Sequence, residues 1–133
     1  MYFENFSIPE SRNQQEIIEL ADLAIILHKD LQTKRSRFLK RLQNQPDWGN
    51  IKITSALVNF DTLTFVEFLR ELSKQKIKLS LAQQDDWEEY FDQYKLECND
   101  ITEQISVVDK QIDQLVYQLY NLTEEEISII ESN

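Results

Sequence analysis

Large apolar residues recur along the second half of the chain at alternating spacings of four and three. The positions are Trp87, Phe91, Tyr94, Cys98, Ile101, Ile105, Val108, Ile112, Leu115, Leu119 and Leu122. This heptad pattern is typical of a coiled-coil helix, and it predicts a helix over residues 81–120. At 1.5 Å per residue such a helix is about 60 Å long. Because a helix draws most of its stability from packing, the apolar face must meet a partner.

A second long amphipathic pattern covers residues 12–44. One apolar face repeats at spacings of three and four, with one interruption at Lys34, and consists of Ile17, Leu20, Ala24, Leu27, Leu31 and Phe38. The first half of this predicted helix carries a further apolar stripe, formed by Ile18, Ala21, Leu23, Ile25 and Ile26. So wide an apolar surface indicates burial against more than one neighbour.

Four capping boxes, each a Ser or Thr followed three residues later by Glu or Gln, mark predicted helix starts. They begin at Ser11, Thr64, Ser80 and Thr123. The helix after Ser11 ends where Pro46 and Gly49 break the pattern. Residues 46–79 then form a tip segment with a short helix over 64–75, and residues 123–131 form a short C-terminal helix. Asn121 precedes the last box and suits a left-handed helix end.

The two long helices are expected to pack against each other in antiparallel order. Residues 29–41 contain six basic residues and one acid, whereas residues 85–92 contain five acids and no base. An antiparallel hairpin brings these stretches together at its tip. The prediction is therefore an all-α fold: a single domain over residues 1–133, built as a long, coiled-coil-like helical hairpin with short helices at the tip and C-terminus.

The composition of the chain disfavours or excludes several kinds of ligand and site. The 133 residues hold 14 basic and 24 acidic side chains, for a net charge of -10, which disfavours the whole chain as an independent nucleic-acid binder and disfavours an anionic membrane surface. One Cys and one His cannot complete a zinc site, and one Gly excludes a phosphate-binding loop. The sequence predicts no catalytic residue, no metal site, no cofactor, no membrane partner and a cytoplasmic location.

Residues with potential chemistry have simpler explanations. His28 fits an exposed helix position, Cys98 a buried position of the heptad pattern, and the aromatic residues from Trp87 to Tyr94 a core near the hairpin tip. A basic tract is the one surface that suits phosphate. Its candidate DNA-backbone contacts are Lys34, Arg35, Arg37, Lys40, Arg41, Lys74, Lys76 and Lys78. Internal pairing or solvation of these side chains remains the alternative.

Residues 112–127 (IDQLVYQLYNLTEEEI) resemble the C-terminal signature of adenine-specific restriction–modification methyltransferases of the fused type II kind. Residues 14–22, 63–69 and 87–91 are similar to other blocks of the helical region that follows the TaqI-like target-recognition domain in those enzymes. Asn121 stands where relatives commonly have Gly. The resemblance implies a non-catalytic helical domain that supports target recognition, because the family's catalytic domains lie upstream of this region. Its implied partners are the methyltransferase and target-recognition domains and, through them, DNA.

Two other functions stay open from the sequence. A free-standing coiled-coil protein would form a homodimer through the second apolar stripe, with Ile18, Ala21, Ile25 and Ile26 as the candidate self-association residues. The predicted C-terminal helix, with Ile127 and Ile130, is the competing cover for that stripe. An acidic DNA mimic that inhibits a restriction enzyme is the third possibility.

Overall fold

The computed structural model describes the backbone of residues 2–132 and the side chains of residues 12–132, and within that range the chain is helical without a β-strand. Five α-helices follow one another along the chain. They are α1 (Tyr2–Gln43), α2 (Ser55–Val58), α3 (Phe65–Ser73), α4 (Leu81–Leu119) and α5 (Glu124–Ser132). Two 3-10 turns, Pro46–Trp48 and Phe60–Thr62, lie between α1 and α3. The all-α helical hairpin formed by α1 and α4 confirms the predicted fold class.

Three of the four predicted capping boxes mark helix starts. The hydroxyl of Thr64 accepts the backbone N–H of Glu67, and the Glu67 carboxylate accepts the N–H of Thr64. Ser80 with Gln83 and Thr123 with Glu126 make the same reciprocal bonds. These hydrogen bonds lower the pKa of the Glu67 and Glu126 carboxyls. Both caps therefore contribute stability at neutral pH that is lost as the pH falls through the lowered values.

The fourth box is wrong as a helix start. Helix α1 begins at Tyr2, so Ser11 lies inside it and the predicted start at residue 12 is ten residues too late. A capping box is a local preference, and it marks a boundary only where the preceding residues do not themselves form helix. The other predicted helix boundaries agree with the observed ones to within two residues.

Two helix ends use a left-handed residue that is not glycine. At the end of α4, Asn121 has φ 53°, as predicted, and the N–H groups of Leu122 and Asn121 bond the carbonyls of Tyr117 and Gln118. After α3, Lys76 has φ 63°, with the matching bonds from Ile77 to Leu72 and from Lys76 to Ser73. Both are Schellman motifs, which satisfy the last carbonyls of a helix.

The contacts group into two compact units. Unit 1 consists of Met1–His28 with Gln104–Asn133, and unit 2 of Lys29–Glu103. Each unit contains part of α1 and part of α4. The prediction of a single domain over residues 1–133 stays a prediction.

An aromatic cluster forms the core of unit 2. Phe38, Phe60, Phe68 and Phe91 are fully buried, with ring centroids 4.0 Å apart for Phe38 and Phe60 and 5.0 Å apart for Phe68 and Phe91. Phe38 also meets Tyr94 of α4 at 5.8 Å. Of the aromatic residues predicted to form a core near the tip, Phe91 is fully buried, whereas Trp87, Tyr90 and Tyr94 are half-buried at the edge of the cluster.

Helices α1 and α4 run antiparallel within unit 2. Arg41 contacts Tyr90, whereas Lys34, earlier in α1, pairs with Glu97, later in α4. The segment between the helices packs on the same core through Leu57, Phe60 and Phe68. The Gln75 side-chain amide bonds both backbone groups of Lys52 at 2.8 Å, which ties the extended residues before α2 to the end of α3.

The core of unit 1 is less closed. Its buried apolar side chains are Leu27, Ile105, Val108 and Tyr117, and each retains 5–8% of its exposure. Helix α5 is held to α4 by a hydrogen bond of 3.5 Å from the Tyr117 hydroxyl to Glu131. Among the helices of residues 2–132, none combines the length and the apolar character needed to cross a membrane.

Lys76→Gly should stabilise the protein by about 1 kcal/mol, because a β-carbon in the left-handed region costs roughly that much. Thermal or urea unfolding measures the change. Lys76→Ala removes the same charge but keeps the β-carbon, so it should give no comparable gain. Equal stability of the Gly and Ala variants would contradict the prediction.

Candidate functional site

The basic tract predicted to contact DNA divides into internally paired and outward-facing side chains. Arg35 makes a two-pronged bond to Asp61, with Nε–Oδ1 and Nη2–Oδ2 distances of 3.1 and 2.9 Å. Lys34 pairs with Glu97 at 3.4 Å and Lys74 with Glu71 at 2.8 Å. These three cations are therefore engaged in ion pairs within the chain.

Arg41 is partly engaged as well. Its Nε donates to the Tyr90 hydroxyl at 3.4 Å, and its guanidinium lies 5.6 Å from the centre of the Tyr90 ring. Tyr90 contributes to the aromatic cluster, with its ring 5.7 Å from Phe38. Arg41 therefore covers the edge of the core while one side of it stays in solvent.

Arg37 and Lys40 of the tract, together with Lys29, form a cationic face on α1, which is defined by Lys29, Gln32, Thr33, Ser36, Arg37 and Lys40. These residues line one shallow depression, and all six are exposed. Their spacing of 0, 3, 4, 7, 8 and 11 residues places them along a single side of the helix. From Lys29 to Lys40 the face extends about 16 Å at 1.5 Å per residue. It combines three positive charges with hydroxyl and amide groups and contains no acid.

Lys29 was not among the predicted contacts, although its spacing from Arg37 and Lys40 was available as a signal. Lys76 and Lys78 are exposed in the connection between α3 and α4 and do not line the depression of the cationic face. The predicted basic surface is therefore smaller than the tract and lies mainly on α1.

The ion pairs near the tip differ from those that the charge pattern predicted. The acids of residues 85–92 make no ion pair with the basic tract among the side chains that the structure describes; the pair across the helices is Lys34–Glu97. Long exposed side chains gain little from such pairs in water. Nor do three His, Cys, Asp or Glu side chains of residues 12–132 meet in a group able to hold a metal ion.

Cys98 is fully buried next to the Arg35–Asp61 pair. Burial raises the pKa of its thiol to about 11, and the charge of Asp61 acts in the same direction. The predicted packing role of Cys98 in the heptad pattern is confirmed. His28 is exposed on α1, as expected.

Unit 1 contains an apolar groove between α1 and α4. Leu20, Leu23, Val107 and Leu115 line it, in an open space of about 680 Å³. Glu16 and Glu19 form its α1 rim, and Lys110, Gln111 and Gln114 form its α4 rim. Leu23 is 42% exposed and Val107 51% exposed.

The predicted self-association stripe is also uncovered. Ile18, Ile25 and Ile26 are 53–55% exposed, and Ala21 is half-buried. Helix α5 does not cover them, and its own Ile129 and Ile130 are more than half exposed. Of the two covers that the sequence left open, the C-terminal helix is therefore excluded.

Arg35→Ala should destabilise the protein by about 3–5 kcal/mol, because it leaves the buried Asp61 carboxylate without its partner. Urea unfolding measures the loss. Lys34→Ala is the matched control, since it removes a neighbouring cation of the same helix whose pair is about one-third exposed. That variant should cost about 0–1 kcal/mol, and a similar loss in the two variants would refute the distinction.

Cys98 should resist alkylation in the folded protein. A pKa of about 11 in place of 9.0 lowers the thiolate fraction about a hundredfold near pH 8, and burial blocks access further. Iodoacetamide labelling followed by mass spectrometry, with and without denaturant, checks this. Rapid labelling of the native protein at the denatured rate would show that the site opens readily.

One family model matches most of the chain, and the function of that family is unknown. The model of the Domain of unknown function (DUF8810) family matches residues 10–116, which include α2, α3 and most of α1 and α4. No curated protein and no solved structure matches the chain. The resemblance to methyltransferase C-terminal regions stays a prediction. The matched range leaves one firm assignment: the chain belongs to the DUF8810 family.

Proposed function

We propose that this chain is a non-catalytic helical module that helps to hold a restriction–modification methyltransferase on DNA, with the cationic face of α1 resting on the phosphate backbone. The observation that carries the proposal is the exposure of Lys29, Arg37 and Lys40 on one side of α1. The resemblance of residues 112–127 to methyltransferase C-terminal signatures supplies the enzyme context.

The side chains of the cationic face are of the kinds that bind the phosphate backbone of DNA. Lysine and arginine bind phosphate oxygens, and hydroxyl and amide side chains add hydrogen bonds without reading a base sequence. The face is also open to solvent and lies on a helix, so it would position DNA and leave sequence recognition to another domain.

The net negative charge of the chain is divided unevenly between the two units, so it does not oppose DNA binding equally in both. Unit 2 contains 12 basic and 13 acidic residues, whereas unit 1 contains two basic and 11 acidic residues. At 0.1 M salt, charges are screened beyond about 10 Å. A local cationic face can therefore attract phosphate in a chain of net charge -10.

The competing function is self-association as a free-standing coiled-coil protein. The exposure of Ile18, Ile25 and Ile26 favours it. The charge of unit 1 opposes it, because a symmetric dimer there brings two strongly acidic surfaces together. Sedimentation of the intact chain separates the two functions.

A labelled DNA duplex should bind the intact chain weakly at low salt, and changing Lys29, Arg37 and Lys40 to Gln should weaken that binding. Loss of three phosphate contacts should make the negative slope of log K against log salt shallower by about 2.7. Fluorescence anisotropy across a salt series measures both quantities.

The matched control changes Lys74, Lys76 and Lys78 to Gln. It alters the total charge by the same amount but leaves the cationic face intact, so its salt slope should stay close to that of the unmodified chain. Equal losses in the two triple variants would mean that total charge, and not the cationic face, governs DNA binding.

A further inference from the structure

We propose that the apolar groove of unit 1 is a docking site for a basic amphipathic helix of a partner protein. The groove has two apolar walls, Leu20 and Leu23 on α1 and Val107 and Leu115 on α4. An amphipathic helix binds such a groove by placing apolar side chains at positions i, i+3, i+4 and i+7 between the walls.

The shape of the groove fits a helix. On α1 the lining residues Glu16, Glu19, Leu20 and Leu23 follow the spacing of one helix face, and the α4 lining residues from Val107 to Leu115 do the same. Each wall is therefore a straight row along a helix. The rows extend about 10–12 Å at 1.5 Å per residue, which matches about two turns of a docked helix.

The exposed apolar area indicates an interaction surface. Leu23 and Val107, one on each wall, retain about half of their exposure. Side chains of this size gain free energy when they leave water, so paired exposure on facing walls favours occupation by an apolar partner.

Charge decides which partner fits. Glu16 and Glu19 form the α1 rim of the groove, and Asp22 is exposed on the same helix. Lys110 is the one cation among the lining residues, on the α4 rim. A partner with Lys or Arg beside its apolar residues complements this field, and the α1 rim is where its cations would lie.

The same charge argues against the chain's own segments as occupants. A second copy would place one acidic unit 1 against another, and like charges across an interface oppose association. Helix α5 begins with Glu124, Glu125 and Glu126, so it also repels an acidic rim. A basic helix is the occupant that satisfies both the apolar walls and the rim.

The test uses designed peptides of about 18 residues, long enough to form a helix. One places Leu at i, i+3, i+4 and i+7 with Lys elsewhere. A second replaces every Lys with Glu, and a third scrambles the Leu/Lys order so that no apolar face forms. Fluorescence anisotropy with the intact chain should show binding of the first peptide, at least about tenfold tighter than of either control.

Variants of the intact chain locate the binding. Leu23→Glu with Val107→Glu should weaken the Leu/Lys peptide at least about tenfold. Val66→Glu with Leu96→Glu is the matched control, because it changes two exposed apolar residues of unit 2 by the same charge. That control should bind the peptide as the unmodified chain does. Circular dichroism verifies that each variant keeps its helix content.

Glu16→Gln with Glu19→Gln adds no charge to an apolar wall and so tests the rim without a risk to folding. It should weaken the peptide a few-fold and reduce the salt dependence of binding. Equal binding of the Leu/Glu or scrambled peptide, or equal loss in the Val66/Leu96 control, would overturn the proposal. So would a dimer in sedimentation equilibrium that Leu23→Glu with Val107→Glu dissociates, because the occupant would then be a second copy. DNA binding by the cationic face is not needed for any of these outcomes.

Discussion

Phe38 lies where the two long helices of unit 2 and the residues between them share one core. Its ring centroid is 4.0 Å from Phe60, 5.7 Å from Phe68 and 6.0 Å from Phe91, so it contacts the tip segment and α4 at once. Burying an aromatic ring stabilises a protein by about 1.5–3 kcal/mol, and well-placed ring pairs add about 0.5–1.5 kcal/mol. A 39-residue helix such as α4 depends on packing of this kind. The tip segment therefore folds as part of the hairpin and not as an appendage to it.

The position of Phe38 also explains which cations of α1 face solvent. Arg35 and Lys34 precede Phe38 by three and four residues, so they share its side of α1 and lie at the edge of the core. There they find Asp61 and Glu97. Arg37 and Lys40 are one residue before and two after Phe38, which turns them away from the core into solvent. One helix thus supplies both the internal ion pairs and the cationic face.

Local sequence signals predicted the positions of the helices well. The features that depend on long-range contacts could not be predicted from them. The heptad pattern and the boxes at Thr64, Ser80 and Thr123 depend on residues a few positions apart, and they located the helices closely. Asp61 gave no local sign of burial, because its partner Arg35 is 26 residues away. Lys76 could not be predicted as left-handed, since lysine has no preference for that conformation. The apolar groove was missed because a heptad pattern shows that two helices meet but not how closely their walls approach.

Net charge proves a poor guide to the surfaces of this chain. Its total of -10 comes almost entirely from unit 1, while unit 2 is nearly neutral. Summed over the chain, the acids disfavour nucleic acid. Counted by surface, the cationic face carries three positive charges, and the α1 rim of the groove carries two acids. Because screening confines each field to about 10 Å at 0.1 M salt, a ligand responds to the charges beside it. Under the docking proposal, the acidic excess of unit 1 selects the partner, because it favours basic helices at the apolar groove over acidic ones, including further copies of the chain.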